Sequence, residues 1–114
     1  MTIGERAVGS VVVLDLKGKL EMGDTKGLLK DKVHSLVFQG NKRIVLNLAE
    51  VGYMDSTGLG ELIASHTTVV REGGQIKVAN LTKRVSDLMT IAKVLSVFDA
   101  HETEADALKS FPPA

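Results

Sequence analysis

The segment Lys42 to Ala49, KRIVLNLA, is apolar at nearly every position, and it constrains the fold more than any other stretch of this chain. A strand with one wet face alternates apolar and polar residues. A short run that stays apolar belongs instead to a strand covered on both faces, in the middle of a sheet with helices packed on it. The rest of the pattern must supply those helices and the flanking strands.

It does so in regular succession. Ser10 to Lys17 (SVVVLDLK) is rich in β-branched residues and too short for a helix, and Ile3 to Val8 can pair with it as a hairpin across Gly9. Leu29, Val33, Leu36 and Val37 recur at helical spacing, with Asp24 or Thr25 as the cap and Gly40 as the stop. Leu59, Leu62, Ile63, His66, Val69 and Val70 form a second helical stripe that ends at Gly73 and Gly74. QIKVANL is a short strand. Thr82 caps a helix carrying Val85, Leu88, Met89 and Ala92, LSVFDA is a last weak strand, Thr103 to Lys109 is a helix and FPPA is a tail. The order β-β-α-β-α-β-α-β-α predicts an α/β fold with right-handed crossovers and a largely parallel sheet.

A chain of 114 residues has room for one such domain with a real core. Lys plus Arg and Asp plus Glu balance at 14 each, so net charge favours neither nucleic acid nor an anionic membrane. The absence of cysteine excludes disulfides and thiolate metal sites. The N-terminus has no signal-peptide pattern and no apolar run approaches a bilayer's width, so the expected location is the cytoplasm.

Chemistry-bearing residues concentrate in VGYMDSTGLGELIASH, Val51 to His66, where the central strand gives way to the second helix. Loops at such ends are exposed yet held rigidly by the sheet. Gly52, Gly58 and Gly60 permit a sharp turn and close approach, and Asp55 or Ser56 can satisfy the free N–H groups of the helix. Taken alone, these residues are equally a cap and a turn.

Enzymatic alternatives fail on the same residues. A phosphate-binding loop needs a Lys after its second glycine, and none follows Gly58 or Gly60. A nucleophile elbow needs glycines two residues either side of the serine, and Ser56 has the wrong neighbours. His34, His66 and His101 lack metal-site spacing, so no metal is expected, and His66 on an apolar face is a packing residue. A phosphoaccepting receiver domain would place its Asp where Asp55 stands. It also needs an acidic pair after the first strand and a Lys after the fifth, and neither is present.

The segment YMDSTGLGEL, preceded by IVLNL and followed by EGGQIKVANL, resembles the STAS domain of bacterial anti-sigma factor antagonists of the SpoIIAA and RsbV type, over essentially residues 1–114. The resemblance implies a single STAS domain, a mixed, mostly parallel sheet of about five strands with helices packed on it. It implies a partner switch. Ser56 is phosphorylated by an anti-sigma factor that is also an ATP-binding serine kinase; the unphosphorylated antagonist binds that kinase, the phosphorylated form releases it, and a PP2C-type phosphatase resets the system. The chain itself would hold no cofactor or metal, catalyse nothing, bind neither nucleic acid nor membrane, and exist as a monomer or weak homodimer. Asp55, Thr57, Gly58 and Gly60 would support the phosphosite, and Glu21, Met22, Asp24, Ser56, Leu59 and Glu61 would meet the partner. The alternative on the same fold is a STAS module of another signalling scaffold or of a lipid-transport complex.

Two departures from the family bear on partner choice. GKLE, Gly18 to Glu21, stands where relatives read Gly-Glu-[Leu/Ile]-Asp, which reverses the charge at Lys19 and lengthens the acid at Glu21. Glu61 stands where relatives commonly carry an aliphatic residue on the partner-facing side of the helix. By themselves, Lys19 reads as a solvated charge and Met22 as a loop residue able to make an adaptable contact.

Overall fold

The computed structural model describes residues 1–21 and 27–112. Five strands lie in one sheet in chain order: β1 (Thr2–Val8), β2 (Val11–Leu20), β3 (Arg43–Met54), β4 (Gln75–Ala79) and β5 (Asp99–His101). Only β1 and β2 are antiparallel, joined tightly at Gly9 and Ser10; the other neighbours run parallel. The helices α1 (Leu28–Phe38), α2 (Ser56–Arg71) and α3 (Lys83–Ile91) fall between the parallel strands, and α4 (Glu104–Lys109) follows β5.

The central strand is KRIVLNLA with an extension. Ile44, Leu46 and Leu48 point into a core shared with α1, α2 and α3, while Val45 points into a smaller one on the opposite face. Both faces of β3 are therefore dry at its start, which is why its sequence does not alternate. The second core holds Val11, Val13, Val45, Ala79, Ala107 and Phe111. Phe111, expected in a tail, is 9% exposed and lies under the cations of Lys77 and Arg43, at 4.8 and 5.9 Å from the ring centroid.

Three further expectations are corrected. LSVFDA is not a strand over its length. The Val94 carbonyl accepts from Val97 and Phe98 N–H in a turn, and Phe98 enters the main core at 2% exposure, so the pairing strand begins only at Asp99. The stripe on α2 is narrower than its sequence suggests: Leu59, Leu62, Ser65 and Val69 are buried, but Ile63 and Val70 face out. Helix α1 has Gly27 at its N-cap, with φ 83° and no side-chain bond from the cap, whereas Asp24 and Thr25 lie outside the described residues.

Candidate functional site

The register of the sheet builds the junction. Leu20, the last residue of β2, pairs with Met54, the last of β3, and the Leu20 carbonyl accepts from Asp55 N–H at 3.3 Å. The segment from Gly18 to Glu21 is thereby set beside the start of α2. Asp55 is extended and caps that helix: its Oδ1 accepts from Gly58 N–H at 2.8 Å and its carbonyl from Leu59 N–H at 2.9 Å. Ser56 is consequently the first helical residue and is exposed, while Thr57 is half-buried.

Gly58 and Gly60 have different reasons to be glycine. A Cβ on Gly58 would lie 1.9 Å from the Leu20 carbonyl oxygen, so α2 starts in direct contact with the backbone of β2. A Cβ on Gly60 would meet nothing within 4 Å. Gly58 is a requirement of the fold; Gly60 leaves open space.

On the other side of the junction, Thr82 closes the start of α3 against β3. Its hydroxyl donates to the Val51 carbonyl at 3.0 Å and accepts from Val85 N–H at 3.4 Å. The Arg84 guanidinium stacks over Tyr53 at 5.0 Å from the ring centroid. Ser56 is thus presented by a helix whose entry is pinned to β2 and β3. His66 is a packing residue, edge-on to Phe98 at 5.2 Å.

Glu61 and Leu59 are both largely withdrawn from solvent. Leu59 belongs to the main core at 7% exposure. Glu61 is 8% exposed, and its Oε1 accepts from Leu29 N–H at 2.9 Å and Lys30 N–H at 3.2 Å. Glu61 supplies from α2 the cap that Gly27 cannot give α1, because the second and third residues of α1 have free N–H groups and Gly27 has no side chain. The sequence carried one signal for this, an acid inside an apolar stripe. Lys19 is exposed as expected, Glu21 is half-buried, and Met22 and Asp24 lie outside the described residues.

Missed from sequence altogether is a polar network on the second face of the sheet. Arg6 donates to both oxygens of Asp15, at 2.6 and 2.8 Å, and to both of Glu104, at 3.2 and 2.5 Å. Asn47 donates to Asp15 at 2.8 Å and accepts from Asn80 at 3.0 Å. The guanidinium holds the Asp15 carboxyl below its ordinary range, against the opposing effect of burial, with Asn47 assisting. No group of three or more His, Asp or Glu side chains is placed to hold a metal ion among the described residues. No described helix is long and apolar enough to cross a membrane.

The STAS domain family model matches residues 5–107. The anti-sigma-B factor antagonist of Bacillus subtilis (strain 168) is 37% identical over 73 residues, a match that spans 63% of this chain and 65% of that protein. Among solved structures, an anti-sigma factor antagonist from Mycobacterium paratuberculosis superposes with a TM-score of 0.84 at 22% identity, covering 96% of this chain and 92% of the other. The Bacillus cell fate determinant SpoIIAA in its phosphorylated form superposes with a TM-score of 0.73 at 20% identity, covering 95% and 97%. Those two likenesses establish the shared fold. The match over residues 5–107 establishes more: this chain belongs to the STAS domain family.

Proposed function

We propose that this protein is an anti-sigma factor antagonist, a partner-switching module controlled by phosphorylation of Ser56. Unphosphorylated, it binds an anti-sigma factor serine kinase; phosphorylated, it is released, and a PP2C-type phosphatase restores the binding form. The observation that carries this reading is the placement of Ser56, an exposed hydroxyl on the first residue of a long helix whose entry is fixed by Asp55 and Gly58. The name of the Bacillus subtilis relative, an anti-sigma-B factor antagonist, supports the same role.

The physics of the site suits such a switch. A phosphate at Ser56 would sit among the first N–H groups of α2 and at the positive end of its dipole, so modification need not disturb the fold. A partner lying flat on the junction would have to desolvate that dianion beside Asp55. Swinging a partner from about 99% bound to about 99% free takes roughly 5.5 kcal/mol of differential affinity, a magnitude within reach of a buried unpaired dianion. Asp55 and Gly58 hold the helix entry, and Glu21 follows the end of β2 beside the phosphosite. Leu59 packs in the core beneath the junction, and Glu61 holds the start of α1 from the wall of the neighbouring cleft.

The test is phosphate incorporation from ATP with the cognate kinase, followed by mass spectrometry. Ser56→Ala is expected to abolish incorporation and keep kinase binding. Its melting should change little, within about 0.5 kcal/mol, because Asp55 rather than Ser56 caps the helix. Ser56→Asp is expected to weaken the complex. Full incorporation in Ser56→Ala, or loss of binding with Thr57→Asp but not Ser56→Asp, would move the switch to Thr57.

A further inference from the structure

We propose that the cleft between the start of α1 and the first turns of α2 binds a primary ammonium group, a lysine-type side chain offered by a partner, with the Glu61 carboxylate as acceptor. The identity of that partner rests on the antagonist reading; the chemistry is set by the cleft. Glu61 lines it at 8% exposure. Its Oε1 is engaged by the N–H groups of Leu29 and Lys30, and its Oε2 has no hydrogen-bond partner among the described residues. A carboxylate oxygen withdrawn from water without a donor is costly, so the site stands one donor short.

The wall of the cleft supports the same conclusion independently. It holds about 250 Å3 and is lined by Gly27 and Lys30 on α1's side and Thr57, Gly60, Glu61 and Ala64 on α2's. Glycine inside a helix is unfavourable relative to alanine. No described neighbour requires that glycine at Gly60, since a Cβ there would meet nothing within 4 Å. What the missing side chain provides is room beside Glu61.

The type of cation follows from the acceptor. A guanidinium fork uses two carboxylate oxygens in parallel, and Oε1 is already taken by two backbone donors. A compact ammonium needs only the free oxygen. Its unbranched stem can lie over Gly60 and Ala64, and the Thr57 hydroxyl in the same wall is a second acceptor. Lys30 also lines the cleft and is the competing occupant.

The experiment is a titration of the isotope-labelled protein with n-butylammonium chloride, followed through its amide resonances. Tetramethylammonium chloride at matched ionic strength supplies the charge without an N–H donor. Saturable shifts are expected at Leu29, Lys30, Gly60 and Glu61 with butylammonium alone. Binding should be at least tenfold weaker in Glu61→Gln, whose carbonyl still serves the α1 N–H groups but whose amide NH2 faces the cation. Lys30→Met is expected to bind at least as well as the natural sequence. Equal shifts from both salts, or unchanged binding in Glu61→Gln, would overturn the proposal. So would binding seen only in Lys30→Met, because the protein's own lysine would then be the occupant. No kinase enters this measurement, so its failure is distinct from failure of Ser56 phosphorylation.

Discussion

At the scale of single residues, Gly58 and Gly60 show how one sequence motif can hide two kinds of constraint. Both were legible as glycines of a turn, and nothing in the sequence separates them, because the difference lies in the Leu20 carbonyl that approaches from β2. A Cβ forced to within 1.9 Å of that oxygen must move backbone. Gly58→Ala is therefore expected to destabilise by about 3 kcal/mol, at the upper end of overpacking costs. Gly60→Ala enters open space and removes the entropic penalty of a helical glycine, so it should stabilise by about 1 kcal/mol. On a scale of about 4 °C per kcal/mol, the melting temperatures should move in opposite directions, down by about 12 °C for Gly58→Ala and up by about 4 °C for Gly60→Ala. Thermal melts of both variants beside the natural sequence decide it; a Gly60→Ala that melts lower would show that the fold itself needs glycine there.

At the scale of elements, the sequence was most legible where one periodicity had one cause. The apolar run of β3 and the Leu29, Val33, Leu36 and Val37 stripe of α1 are legible because burial alone sets them. LSVFDA misled because its apolar residues serve a turn and a core plug, with Phe98 packed inward, and only Asp99 onward pairs in the sheet. Asp55, Thr82 and Thr103 each cap the helix that follows, a local relation that sequence displays. The cap of α1 is not local. Glu61 comes from 32 residues away to accept from Leu29 N–H, and spacing along the chain cannot reveal that. Glu61→Val should strip that bond while relieving a half-satisfied carboxylate, so the two effects offset in global stability. The distinctive readout is local. Hydrogen exchange at Leu29 and Lys30 should speed by about tenfold in Glu61→Val, corresponding to about 1.4 kcal/mol of lost protection, and stay near its original rate in Glu61→Gln. Uniform acceleration across α1, α2 and the sheet would mean that Glu61 supports the whole core instead.

At the scale of the whole molecule, β1 and the segment from β5 to Phe111 are tied to the sheet face opposite α1 and α2. Arg6 on β1 joins Asp15 on β2 to Glu104 on α4, 98 residues away, while Lys77 on β4 pairs with Asp99 on β5 and lies over Phe111. A hexamer of helix as short as α4 buries little by itself, so these ion pairs and Phe111 hold it in place. They also fix how stability depends on pH. Hydrogen bonding to Arg6 lowers the Asp15 carboxyl, and hydrogen bonding to Lys77 lowers that of Asp99, each from an ordinary value of 3.8 and each against opposing burial. Because the folded values lie below the unfolded ones, the unfolded chain binds more protons in acid. The stabilisation is fully present above the unfolded pKa and is lost as pH falls through the folded one. Stability should therefore be level from pH 7 to about 5 as far as these two groups are concerned, and fall below about pH 4. Arg6 is 44% exposed, so screening limits its pair with Asp15 to about 1 kcal/mol. Asp15→Asn keeps an acceptor for Arg6 and cannot titrate. It should unfold at a lower urea midpoint than the natural sequence at pH 7, with the gap closing by pH 3, while Asp99→Asn repeats the behaviour at the β5 edge. Urea midpoints at pH 7, 5, 4 and 3 check both, and a gap of constant size across that range would place the stabilisation in packing rather than in charge.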